Sequence, residues 1–211
     1  MANSKISLIT GPMFAGKTTE LLSRISTHKA NGLKCLLIKY NKDERYGSDV
    51  VQTHDKVKMD AISCNELAEV SLNAEYYDVI GVDEGQFFED IAEFSEKMAN
   101  KGKEVIIAAL SGTFERKNFA KIPDLLPIAE EIVKLSADCS ECPNPASFTL
   151  RKSQSKETVL IGGSEVYKPV CRTCYLKNLK SQKPVESINK DTRTSQKFNS
   201  DYVLGTEKDI F

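Results

Sequence analysis

The chain has 211 residues and a mass of 23.5 kDa, room for one good-sized domain with a small appendage. Hydrophobic residues make up 40% and charged residues 28%, which excludes collagen-like and wholly disordered chains. Lys and Arg number 29 against 30 Asp and Glu, so the basic excess of a typical nucleic-acid binder is missing, and no apolar run is long enough to span a bilayer.

Taken in order, Lys5 to Thr10 is short, apolar and β-branched, which predicts a strand. Gly11 ends it, and a glycine-punctuated loop runs to Gly16. From Lys17 the spacing turns helical, with Leu21, Leu22, Ile25 and His28 on one side, and stops at Asn31-Gly32. Cys35 to Tyr40 reads as a second strand, followed by a charged loop from Asn41 to about His54. A short helix is expected over Asn65 to Asn73, then a buried strand over Asp78 to Asp83. Ile91, Phe94 and Met98 recur at helical spacing before Lys101-Gly102. Glu104 to Leu110 and Ile132 to Leu135 complete a strand–helix alternation, the pattern of an α/β fold with a mostly parallel sheet and helices on both faces.

After Ala137 the helical periodicity stops. Cysteine pairs bracket two short strand-like runs, near Phe148 and near Val159 to Ile161. The reading is a nucleotide-binding α/β domain over residues 1–137, a small metal-tied unit over 138–180 and a flexible tail over 181–211. There is no internal repeat.

Gly11-Pro12-Met13-Phe14-Ala15-Gly16-Lys17-Thr18 fits G-x-x-x-x-G-K-[ST] between a strand and a helix. In such a loop the backbone N–H groups surround a phosphate, and the helix start adds its positive end. Lys17 would reach the β- and γ-phosphates, and the Thr18 hydroxyl would ligate Mg²⁺. The strand ending at Asp83-Glu84 supplies the second half of such a site: Asp83 for the magnesium, Glu84 beside the γ-phosphate as proton acceptor.

Four of the six cysteines form two Cys-x-x-Cys pairs, Cys139/Cys142 and Cys171/Cys174, while Cys35 and Cys64 stand alone. Four thiolates close a tetrahedral zinc shell and leave no open position, so the metal is expected to be structural. This fits an intracellular, reducing setting; neither pair opens a helix in a thioredoxin-like context. On spacing alone, Gly162-Gly163 is either a plain turn or a binding loop tied at its base by the metal. Phe87, Phe88, Phe114 and Phe119 follow strand ends and are either core or stacking groups. His28 and His54 read as packing or loop residues.

Together these motifs resemble type II thymidine kinases, and the cellular and poxviral branch more than the bacterial one. The resemblance lies in residues 11–21, Ile38 to Tyr40, Thr53 to Asp55, Asp83 to Phe88, Gly112 to Lys117, Ile161 to Gly163 and Cys171 to Tyr175. It implies an enzyme that moves the γ-phosphoryl of ATP, with Mg²⁺, to the 5′-hydroxyl of thymidine, and of deoxyuridine, in nucleotide salvage. It implies Glu84 as general base. Residues 11–18, Asp43, Glu44, Arg45, Asp83, Glu84, Gly85 and Gln86 would contact the triphosphate. Phe87, Phe114 and Tyr167 would flank the thymidine, and Thr158, Val159, Leu160, Ile161 and Gly162 would run along its base as a zinc-tethered lasso. It further implies a cytoplasmic homotetramer inhibited by thymidine triphosphate; the near-neutral charge and the short apolar runs, for their part, predict no nucleic-acid and no membrane partner. The family's Leu-Asp-Gly-Thr-Phe-Gln-Arg-Lys-Pro-Phe reads here with Ser111, Glu115 and Asn118, and Ala15 replaces a serine in the phosphate loop. The competing readings are another phosphate-loop enzyme, such as an ATPase or a kinase for a different nucleoside, and a non-enzymatic zinc module that binds nucleic acid or protein.

Overall fold

The computed structural model describes residues 4–41, 50–52, 58–119, 121–152 and 162–182. Strand β1 (Lys5–Gly11) leads through the glycine loop into α1 (Lys17–Ala30) and β2 (Cys35–Tyr40). Two short strands, β3 (Val50–Gln52) and β4 (Lys58–Asp60), pair antiparallel before β5 (Ile62–Cys64). A 3₁₀ turn and the four-residue α2 (Ser71–Ala74) precede β6 (Val79–Val82), and α3 (Ile91–Asn100) precedes β7 (Glu104–Leu110) and β8 (Glu131–Lys134). The remaining elements are β9 (Ala137–Asp138), β10 (Pro145–Ala146), β11 (Phe148–Arg151), β12 (Tyr167–Val170) and α4 (Arg172–Gln182).

Six strands form one sheet in the order β5-β2-β6-β7-β1-β8, and every pairing in it is parallel. Side chains alternate across a strand, so each strand feeds both faces. Ile6, Leu8, Leu36, Ile38, Ile80, Val82, Val105 and Ile107 pack with Ile91, Phe94 and Met98 of α3. Ile9, Leu37, Val79, Ile106 and Ala108 pack on the other face with Leu21, Leu22 and Ile25 of α1. Burial on both faces explains why the strands read as nearly continuous apolar runs. The predicted α/β architecture is the observed one.

Three local expectations change. The stretch expected to be a charged loop contains β3 at its C-terminal end, and only three residues long it leaves too little alternation to detect. The expected helix over 65–73 is a 3₁₀ turn at Leu67–Val70 followed by α2. The second cysteine pair does open a helix: α4 starts at Arg172 and carries Cys174 in its first turn.

A third cluster of Leu150, Val170, Cys171, Cys174 and Tyr175 holds the region after β8, with Cys139, Cys142 and Phe148 against it. Two small two-stranded sheets, β9–β10 and β11–β12, frame it. His54 and the segment after 182 lie outside the described residues.

Candidate active site

The phosphate loop leaves β1 and turns into α1 through Gly16, whose φ of 79° lies in the left-handed region that glycine adopts without strain. Inside the loop, Lys17 Nζ donates to the Pro12 carbonyl at 2.8 Å. Strand β6 lies two positions from β1, with β7 between them, yet their C-terminal ends converge. The Thr18 hydroxyl donates to the Asp83 carboxylate, 3.1 and 3.2 Å from its two oxygens, and Asp83 is 7% exposed. A hydroxyl and a carboxylate this close are hard oxygen donors of the kind that hold Mg²⁺.

Glu84 follows with φ 53°, an uncommon left-handed conformation for a residue with a side chain. It lifts the chain out of the sheet into the 3₁₀ turn at Gly85–Phe87. Gly85 is required here, because a Cβ on it would stand 2.7 Å from Ile107 Cγ2. Gln86 then orients the acid. Its side-chain carbonyl accepts the Leu110 N–H at 3.0 Å, so its amide NH₂ faces Glu84 and donates to Oε2 at 2.5 Å. Gln86 is buried, Glu84 half-buried. Phe87 stacks on Tyr40 at 5.2 Å between ring centroids and meets Phe119 edge-on at 5.9 Å, while Phe88 is core. Asp43, Glu44 and Arg45 lie outside the described residues, as do Thr158, Val159, Leu160 and Ile161.

The four cysteines converge. Their Sγ atoms all lie within 4.8 Å of one another, and Cys142 stands 3.6 Å from both Cys171 and Cys174. A tetrahedron with Zn–S bonds of ~2.3 Å has edges of ~3.8 Å, whereas a disulfide needs ~2.05 Å, so the donor set fits a zinc ion and all six cysteines are free thiols. Burial resists ionisation of Cys139, but the Cys171 N–H, donating to its sulfur at 3.2 Å, and the neighbouring thiols draw it down to about 6. Burial and the same crowding push Cys174 up. Four thiols that cannot all ionise side by side are a ready receptor for a divalent cation. The lone cysteines differ: burial pushes Cys64 up to about 12.

Three side chains to which the sequence assigned no role tie this unit to the sheet, one at the phosphate loop and two at Phe114 in the turn after β7. Thr149 of β11, 7% exposed, accepts the Met13 N–H at 3.0 Å. Arg151, 3% exposed, places its guanidinium 3.8 Å over the Phe114 ring and donates to the Tyr167 hydroxyl at 2.7 Å. The Tyr175 hydroxyl, one residue past Cys174, donates to the Phe114 carbonyl at 2.7 Å. Each contact joins residues far apart in the chain, so no local pattern announces it. The Gly163 carbonyl accepts the Val166 and Tyr167 N–H groups at 3.1 and 3.0 Å, so Gly163 opens the turn that leads into β12. His28 pairs with Glu104 at 3.4 Å, as a packing residue would. No helix among the described residues is long and apolar enough to cross a membrane.

The thymidine kinase family model matches residues 4–175. Thymidine kinase 1 of Dictyostelium discoideum is 52% identical over 175 residues, 81% of this chain and 77% of that one. The cytosolic thymidine kinase of Bos taurus is 50% identical over 181 residues, 86% of this chain and 76% of that one. Thymidine kinase of Vaccinia virus (strain Western Reserve) is 48% identical over 176 residues, 83% of this chain and 99% of that one. Among solved structures, the replication initiator DnaA bound to AMPPCP and single-stranded DNA overlays with a TM-score of 0.41 at 14% identity, over 64% of this chain and 41% of that chain.

Proposed function

This chain belongs to the thymidine kinase family, and on that premise we propose that it transfers the γ-phosphoryl of ATP to the 5′-hydroxyl of thymidine, giving thymidine monophosphate and ADP. The observation that carries the reading is the meeting of Thr18 with Asp83, one residue before Glu84 and one after Lys17. Phosphoryl transfer needs alignment and charge neutralisation more than covalent help. Residues 11–16 cradle the phosphates through backbone N–H groups, and Lys17 leaves the Pro12 carbonyl for the phosphate oxygens. Thr18 and Asp83 hold magnesium, which when bound neutralises charge on the phosphates. Glu84 accepts the 5′-hydroxyl proton as the oxygen attacks the γ-phosphorus and the bond to the ADP oxygen breaks. Gln86 keeps that carboxylate aimed. Asp43, Glu44, Arg45 and Gly85 complete the triphosphate contacts.

Phe87, Phe114 and Tyr167 flank the nucleoside, and Thr158, Val159, Leu160, Ile161 and Gly162 run along its base. Zinc on Cys139, Cys142, Cys171 and Cys174 ties that loop down. On the same reading residues 1–137 and 138–180 are two functional units, with 181–211 a tail. Deoxyuridine is a second substrate, thymidine triphosphate a feedback inhibitor, and the working form a cytoplasmic homotetramer. The test is ADP release from Mg·ATP with and without thymidine. Release that requires the nucleoside is expected; release that ignores it would make the chain an ATPase instead.

A further inference from the structure

A cavity of about 120 Å³ lies between the turn that follows β7, the end of β8 and the start of β11. Four hydroxyl residues, Ser111, Thr113, Ser147 and Thr149, line it with Arg116 and Lys134, and no acidic residue is among its lining. We propose that this cavity is an anion site for one tetrahedral oxyanion, free inorganic phosphate, separate from the phosphate loop.

Four observations meet here. The first is charge. Among the described residues neither Arg116 nor Lys134 forms an ion pair, and the turn's own acid, Glu115, is taken by Lys117 at 2.9 Å. The second is the residue at 111, a serine just past the end of β7, so the strand end adds a neutral hydroxyl residue and no counter-charge to the cavity.

The third is preorganisation. Arg116 has φ 63°, a left-handed conformation an arginine adopts only when its surroundings hold it there. The Arg116 N–H donates to the Thr113 carbonyl at 2.9 Å, which closes the turn. Its guanidinium lies 4.4 Å from the Tyr175 ring centroid and 5.7 Å from that of Phe148. Cation–π contact with the two rings holds the guanidinium without using its N–H donors, which are left for an oxyanion.

The fourth is the state of the hydroxyls. Thr113 and Thr149 are each 7% exposed, and each accepts a backbone N–H, from Lys117 at 3.2 Å and from Met13 at 3.0 Å. A hydroxyl whose oxygen is already accepting has its own proton to donate. The cavity therefore offers donors and positive charge, the chemistry of a phosphate site. Through Thr149 it stands one hydrogen bond from Met13 of the phosphate loop.

The test is the thermal midpoint of the zinc-loaded full chain, without nucleotide, titrated with sodium phosphate against sodium chloride at equal ionic strength. Lys17→Met removes the phosphate loop's own anion binding. Ser111→Asp places a negative charge at the cavity, and Arg116→Gln and Lys134→Gln each remove one cation. The expected result is a phosphate-dependent rise that survives in Lys17→Met, with affinity about tenfold weaker or worse in the other three variants. Phosphate stabilisation that disappears in Lys17→Met but persists in Ser111→Asp and Arg116→Gln would overturn the proposal, since the anion would then sit in the phosphate loop. Equal response to phosphate and chloride in the wild-type chain would overturn it too. Neither outcome bears on thymidine-dependent ADP release, so this proposal and the kinase reading fail separately.

Discussion

The six-stranded sheet and the cysteine-tied region reach the candidate active site by opposite means. The sheet buries two large apolar clusters, one on each face, and the phosphate loop and Glu84 simply extend from its strand ends. The region after β8 has one small cluster, and two of its buried members are the cysteines Cys171 and Cys174. Its strands are two to four residues long. So small a core stabilises little by burial, and four converged thiols offer the cohesion that apolar surface does not. On the proposed reading the difference assigns the two substrates to different kinds of support: the triphosphate to a sheet packed on both faces, the nucleoside to a unit that would depend on a metal and on a few side-chain bridges.

That contrast is open to attack. The largest expected effect is from Cys171→Ser. Structural zinc contributes ~10–16 kcal/mol of apparent binding free energy in small peptides, so the variant should lose its stoichiometric zinc, read by metal analysis. The sheet should keep its own cooperative unfolding. Loss of both in one step would erase the distinction between the regions.

Next comes Glu84→Gln, on the sheet side. A positioned base is worth ~10²–10⁴-fold in rate, so turnover should fall by that order while the KM for ATP stays within a few-fold. A change in KM alone would mean that Glu84 binds rather than accepts a proton.

A smaller effect is expected at the bridge between the regions. Arg151→Met keeps the length of the side chain but removes the charge over Phe114 and the bond to Tyr167. A desolvated cation–π contact is worth ~2 kcal/mol, so the KM for thymidine should rise by about tenfold or more with the KM for ATP unchanged. Arg151→Lys should recover part of the loss. Parallel rises in both KM values would reduce Arg151 to general packing.

The smallest lies at the edge of the sheet. The Lys5 ammonium, with Arg24 at 3.2 Å, holds the Glu131 carboxyl below its usual value. A lowered carboxylate adds stability that is present above the usual glutamate value of ~4.3 and is lost as pH falls through the lowered one. This pair is about one-third exposed, so Glu131→Gln should cost less than ~1 kcal/mol near neutrality. The gap from wild type should close only in acid. A gap that widened in acid would reverse the sign of the interaction.

How much of this was legible in the sequence follows the same divide. The sheet strands carry their signal locally, in runs such as Glu104 to Leu110, and the phosphate loop carries its own in a glycine spacing that only a strand-to-helix turn satisfies. The two cysteine pairs announced a shared ligand. The short strand β3 stayed hidden in a charged stretch, and α4 stayed hidden because Arg172 to Gln182 has a weak apolar stripe. The contacts of Thr149, Arg151 and Tyr175 were illegible for a deeper reason. Their partners Met13, Phe114 and Tyr167 lie up to 136 positions away, and only the fold brings them together. Phe87 and Phe119 read equally well as core or as stacking groups, and the structure half-buries both.

The most direct test of the division of labour is to measure ATP and thymidine affinities on the same preparation, zinc-loaded and then stripped with a thiol-competing chelator. Thymidine affinity should collapse on stripping, while ATP affinity stays within a few-fold and returns no higher when zinc is restored. Loss of both affinities together, or of neither, would contradict the claim that the sheet holds one substrate and the metal-tied unit the other.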